Sequence, residues 1–197
     1  MQISREIDLI RNINANISEE VDQAIAEVRK GIAAVGWPTG KRTFTIFPRR
    51  MGNGVKPIKN RCMHHLKKAG WELEKRLELA QRERPGPIDA AKRLSTGQWF
   101  VAEWETGNIS SSHRAMNKMM VGLQQGVLLG GALILPTRAF YTYLTDRVGN
   151  YEELVPYFSV WKRTDVTGVL VIIAVEHDKT SKRVPIIPKG TDGRALR

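Results

Sequence analysis

The 197-residue chain holds 31 Lys and Arg against 20 Asp and Glu, a formal net charge of +11 at pH 7. A hydrophobic share of 42% supports one domain with a sizeable core, and no apolar run reaches the ~18 residues that a membrane span requires. The positive charge is spread along the chain rather than gathered in a tail, which points to a shaped face for a polyanion and away from a sticky arm.

The polar start MQISREIDLI does not match a secretory signal, and the single cysteine, Cys62, has no internal disulfide partner, so a reducing, cytoplasmic setting is expected. Residues 18–35 form the first expected helix. Ser18 suits its N-cap, Glu19 and Glu20 its first turn, and Val21, Ile25, Val28 and Ile32 line one stripe. Gly36, Trp37, Pro38 and Gly40 stop it, and KRTFTIF (41–47) follows as a short strand. After the basic loop PRRMGNGVKP, Pro57 opens a second helix through Leu66, ended at Gly70. Its CMHH run (62–65) points in different directions around a helix, which favours core and surface roles over metal binding. WELEKRLELA (71–80) continues with helical character, and QRERPGP is a turn-rich connector. Beyond the central stretch, VLLGGALILP (127–136) has the pattern of a buried strand, TRAFYTYLTD (137–146) of a helix and NYEELVPYF (150–158) of a short helical segment. GVLVIIAVE (168–176) suits a strand covered on both faces, and KRVPIIPKGTDGRALR an extended tail. A strand, helix and strand over 98–135 imply a right-handed crossover. The expected architecture is α/β, one domain over residues 1–197 with a mixed central sheet flanked by helices.

The stretch QWFVAEWETGNISSSHRAMNK (98–118) carries the chemistry. It starts as a strand with Trp99, Val101, Glu103 and Glu105 on one face and Phe100, Ala102 and Trp104 on the other. Carboxylates two positions apart on a strand lie ~6–7 Å from one another, close enough to converge on one cation. Gly107 and Asn108 break the strand, and Met116, Met119, Met120 and Leu123 then recur at helical spacing. Ser110, Ser111 or Ser112 can cap that helix and leave its first N–H groups free for an anion. Asp89, in PGPIDAAK, supplies a third carboxylate upstream. Taken alone, an ExE pair is more often a solvated strand edge, and Asp89 could be a helix N-cap.

The surrounding motifs change that balance. WETGNISSSHRAMNKM, with GPID before it, YLTDRV and NYEELVPYF after it and VPIIPKGTDG near the end, resembles the BamHI family of type II restriction endonucleases. WPTGKRTFTI and NGVKPIK extend the likeness, which runs in the same order from about Trp37 to Gly193. The resemblance implies a PD-(D/E)xK restriction-endonuclease core and a bacterial homodimer with a cognate methyltransferase in its host. It also implies Mg²⁺ dependence, with two ions per active site, and cleavage of double-stranded DNA at GGATCC after the first G. Carried over by position, Asp89 matches the aspartate that touches both metals, Glu103 the next ligand and Glu74 a further acidic ligand. Glu105 takes the place where most of the superfamily has lysine, and would accept or orient the proton of the attacking water. Asn108, Ser110, Arg114, Asp146, Arg147 and Asp192 match the family's base readers. The long helix at 110–125 and the segment at 151–158 match its dimer elements, although Gln124, Gln125 and SVWKR (159–163) depart from its charged interface residues.

These residue types suit the implied task. Mg²⁺ takes carboxylate and water oxygens in octahedral geometry, and arginine, aspartate and asparagine pair with guanine, cytosine and adenine edges respectively. Plainer roles stay open: Asp146–Arg147 as a surface ion pair, Arg114 as a phosphate clamp, the methionine stripe as core. Two further readings of the whole chain also stand, a DNA-binding protein without catalysis and a repair nuclease of the same fold.

Overall fold

The structure, a computed structural model, describes residues 1–79 and 86–189. In chain order its elements are β1 (Gln2–Asn12), α1 (Ala15–Ala33), β2 (Thr45–Ile46), α2 (Lys56–Lys68), β3 (Glu72–Lys75), β4 (Ile88–Arg93), β5 (Trp99–Trp104), α3 (Ile109–Gln124), β6 (Leu128–Pro136), α4 (Arg138–Tyr141), α5 (Tyr151–Leu154), a 3₁₀ turn (Val155–Tyr157), α6 (Phe158–Trp161), β7 (Gly168–Glu176) and β8 (Lys179–Thr180). Six strands form one sheet in the order β1-β7-β6-β5-β4-β3. Its centre, β5-β6-β7, is parallel, while β1, β4 and β3 are antiparallel to their neighbours. The expected mixed sheet flanked by helices is therefore present.

Parallel strands need cover on both faces, and the two cores supply it. The α1 stripe of Val21, Ile25, Val28 and Ile32 is fully buried, with α2, against Phe100, Ala102, Ile134 and Ile173. On the opposite face, Met116, Met119 and Leu123 of α3 pack on Val101, Leu133 and Ile172. Burying side chains of this size stabilises by ~1.5–3 kcal/mol each. Pairing of β5 with β6 skips a residue, since Trp99 faces Leu128 but Phe100 faces Gly130. The glycines at this irregularity are needed for close approach: a Cβ on Gly130 would lie 2.3 Å from the Phe100 ring, and one on Gly131 would lie 2.6 Å from Met119 Sδ.

Several expectations are corrected. The segment 71–80 is not helical at its start. Glu72–Lys75 pairs antiparallel with β4, and its alternating exposure marks a strand. Asp89 sits within β4 rather than at a helix N-cap. The first helix begins at Ala15 with Asn14 in the capping position, so Ser18 lies inside it and donates instead to Asp22 (3.4 Å). Helix α3 is capped by Asn108, whose side chain accepts from Ser111 N at 3.3 Å, not by a serine. Only Thr45–Ile46 of 41–47 is strand, and only Arg138–Tyr141 of 137–146 is helix. The N-terminal strand β1 has no counterpart among the expected elements, because much of its length is exposed at the sheet edge and shows no apolar run. No described helix is long and apolar enough to cross a membrane.

Candidate active site

The site forms where β4 and β5 part. Ladder pairs run from Arg93–Trp99 to Ala90–Ala102, and the next pair in register would be Asp89 with Glu103. There the side chains take over from the ladder. Trp104 N donates to Asp89 Oδ2 (2.8 Å), and Asp89 N donates to Glu103 Oε2 (3.3 Å). On the other side of β4, the pairs Leu73–Ala90 and Lys75–Ile88 flank Glu74 and place it opposite Asp89. Glu74, Asp89 and Glu103 thus lie in one row across three neighbouring strands.

Glu74 has a left-handed backbone (φ 51), a conformation that costs a non-glycine residue ~1–2 kcal/mol. Its side chain is 62% exposed, and its Oε1 lies 4.0 Å from Lys59 Nζ. Asp89 and Glu103 are instead buried, 8% and 9% exposed. Each is paired with an ammonium group: Lys59 Nζ from α2 bonds Asp89 Oδ1, and Lys118 Nζ from α3 bonds Glu103 Oε1. Burial pushes the Glu103 carboxyl above its ordinary range; Lys118 opposes the rise and the Asp89 charge adds to it. Among the described residues no three His, Cys, Asp or Glu side chains enclose an ion as they stand. The donors are nonetheless all carboxylate oxygens, the chemistry that a hard divalent cation takes, and Asp89, Glu103 and Glu74 are the residues that would hold it.

Glu105 follows on the far side of Trp104 and is buried, 5% exposed. Its Oε2 accepts from Ser112 Oγ (2.7 Å) and its Oε1 from Gly107 N (2.5 Å). Burial also pushes this carboxyl up, against the hydrogen bonds from Ser112, Gly107 and Thr106. A cleft of about 750 Å³ opens over Asp89, Glu103 and Glu105. Along its other wall Ser110, Arg114, Lys118 and Val121 recur on one side of α3.

The predicted base readers are distributed unevenly. Ser110 and Arg114 line the cleft, and Arg114 donates to Ser111 Oγ (3.1 Å). Asn108 caps α3 at the cleft's edge. Asp146 and Arg147 stand on a separate exposed turn, 3.5 Å apart as an ion pair, with Arg147 at φ 69. Asp192 lies outside the described residues. Sequence reasoning did not single out Lys59 or Lys118, and it offered Ser112 only as a possible helix cap rather than as the partner of Glu105. The spacing of four from Arg114 to Lys118 was the one available signal, since it puts both on one helix face.

A row of carboxylates at the point where sheet strands diverge, beside a polar helix start in a strongly basic protein, is an arrangement that suits a nuclease. The architecture matches the crystal structure of restriction endonuclease BglII complexed with a DNA 16-mer, with a TM-score of 0.62 at 10% identity, over 90% of this chain and 79% of that one. Sequence narrows the class. Residues 1–194 match the restriction endonuclease BamHI family, to which the chain belongs. It is 52% identical to the type II restriction enzyme OkrAI of Oceanobacter kriegii, over 94% of this chain and 95% of that enzyme. It is 38% identical to the type II restriction enzyme BamHI of Bacillus amyloliquefaciens, over 90% of this chain and 84% of that enzyme.

Proposed function

We propose that this type II restriction endonuclease is a Mg²⁺-dependent homodimer that hydrolyses double-stranded DNA at GGATCC after the first G, leaving 5′ overhangs. The carrying observation is the cross-strand row Glu74–Asp89–Glu103 with buried Glu105 beside it, in a family of restriction enzymes. Bound at Asp89, Glu103 and Glu74, Mg²⁺ would acidify the attacking water and neutralise charge at phosphorus and the leaving 3′ oxygen, with two ions dividing those tasks. The protein's own groups do the rest. Glu105 takes or orients the proton of the water, held in place by Ser112 and Gly107. Arg114 and the start of α3 face the backbone and base edges, while Asn108, Ser110, Asp146, Arg147 and Asp192 complete the reading of the site.

A palindrome calls for a twofold dimer. Val155, Tyr157 and Val160 are 43%, 47% and 62% exposed, the large hydrophobics left uncovered among the described residues. Val155 and Tyr157 belong to the 3₁₀ turn and Val160 to α6, and His113 of α3 meets the Tyr157 and Trp161 rings at 4.6 and 5.4 Å. That patch supports self-association next to the cleft. The enzyme would act in the bacterial cytoplasm beside a methyltransferase that protects host sites.

One observation favours a second reading, a DNA reader without catalysis: Lys59 and Lys118 already neutralise the carboxylates that would otherwise repel phosphate. Digestion of two plasmids, one with a single GGATCC and one with none, separates the two. The expected result is linearisation of only the first, with Mg²⁺ but not with Ca²⁺ or chelator. Asp89→Asn should bind that DNA yet cut at least about 100-fold more slowly. Near-normal turnover by that variant would overturn the assignment of Asp89, and binding without any cutting would favour the reader.

A further inference from the structure

We propose that Lys59 and Lys118 are exchangeable internal counterions, which occupy the cation-binding oxygens of Asp89 and Glu103 in the DNA-free protein and must be displaced before a divalent cation can bind. The inference rests on the reading of these carboxylates as metal ligands.

Two buried carboxylates side by side need compensating charge, and the fold provides it from opposite walls. Lys59 comes from α2 on one side of the sheet edge and Lys118 from α3 on the other. The Lys59 ammonium bonds Asp89 Oδ1 while standing 4.0 Å from Glu74 Oε1, so it lies between two acids that face each other across β3 and β4. Lys118 Nζ bonds Glu103 Oε1 and lies 3.4 Å from Pro87 O. The remaining oxygens, Asp89 Oδ2 and Glu103 Oε2, already accept from main-chain N–H groups. A divalent cation entering here meets two ammonium charges at hydrogen-bond range of the same oxygens, and like charges repel.

Lysine suits an exchangeable role. Its charge rides on a flexible four-carbon stem, both ammonium-bearing side chains are about one-fifth exposed (18% and 21%) and both line the cleft. Either can swing from carboxylate to a phosphate in the cleft without movement of its helix. DNA binding and cation binding are then linked: phosphate that draws the lysines away raises cation affinity, and by reciprocity the cation raises DNA affinity.

The test is calorimetric titration of Ca²⁺, a cation expected not to support cutting, into DNA-free wild type, Lys59→Met, Lys118→Met and Lys118→Arg. A charge-assisted hydrogen bond that no longer competes should tighten Ca²⁺ binding about tenfold in each methionine variant, and the arginine variant should stay near wild type. Melting in chelator provides a second readout: the methionine variants should melt below wild type and regain more stability from Ca²⁺ than it does. Lys59→Gln and Lys118→Gln, which keep a polar donor without charge, serve if a methionine variant does not fold. Ca²⁺ affinity equal to or weaker than wild type in the charge-free variants would overturn the exchange while leaving the metal site intact. Absence of Ca²⁺ binding in every protein, with and without GGATCC duplex, would overturn the metal reading and the exchange with it.

Discussion

Outside the cleft, one carboxylate shows how charge is handled when stability rather than chemistry is at stake. Glu27 of α1 accepts from Trp71 Nε1 (2.7 Å) and from Lys92 Nζ (2.6 Å to Oε2), which ties the first helix to the start of β3 and to β4. Burial pushes its carboxyl up, but hydrogen bonds from Lys92, Trp71 and Gln23 outweigh burial and leave it below the ordinary 4.5. A folded value below the unfolded one means that the ionised group stabilises the fold above 4.5, and that this contribution fades as pH falls through the folded value. Glu27→Gln should therefore cost about 2 kcal/mol near neutrality and progressively less in acid. Urea unfolding between about pH 3 and pH 7 checks this, and a pH-independent loss would refute it. Glu103 and Glu105 are opposite cases, raised by burial.

Among the elements, the segment after α4 and the chain beyond β8 are tied to each other through one side chain. Asn53 is fully buried, donates through Nδ2 to Phe47 O and Tyr143 O (both 2.9 Å) and accepts from Ile187 N (3.1 Å). Its own N–H reaches Tyr143 O, and Gly54 N reaches Ile187 O, each at 2.9 Å. Gly54 must be glycine for this approach, since a Cβ would fall 2.0 Å from Pro188 O. Three stretches that make little regular structure are thereby held together next to the turn bearing Asp146 and Arg147. Asn53→Leu would leave the Ile187 N–H and two carbonyls without that partner, a loss of about 3 kcal/mol, or roughly 6–12 °C in Tm for a domain of this size. Differential scanning calorimetry gives the comparison, and a shift of under about 2 °C would show that these segments hold without it.

For the whole molecule, a net charge of +11 suits the phosphate backbone but makes two copies repel at long range. Self-association must then rest on short-range apolar contact. Val160, 62% exposed beside Tyr157, is the most exposed member of the uncovered patch, and it carries no folding role that burial would indicate. If the proposed homodimer forms through this patch, Val160→Glu should shift it to monomer in sedimentation equilibrium with little change in melting. It should also weaken binding to the full palindrome at least about tenfold, since a monomer spans half of a twofold site. An unaltered dimer would move the interface elsewhere on the surface.

The sequence by itself determined what depends on short-range pattern. The stripe of α1, the buried runs of β6 and β7, the alternation of β5 and the spacing of Glu103, Glu105, Asn108 and Arg114 are all contained within single segments. Ordered motifs along most of the chain were enough to indicate the family. The tertiary structure alone decided what depends on register and on elements far apart in the chain. β1 and β3 are edge strands with polar, exposed positions, so their periodicity is weak and only pairing with β7 and β4 makes them strands. Glu74, Asp89 and Glu103 share a row because two antiparallel registers align them, and no spacing in the sequence encodes that alignment. Lys59 and Lys118 meet their carboxylates because α2 and α3 pack from opposite faces of one sheet, where burying a pair of like charges requires a cation on each.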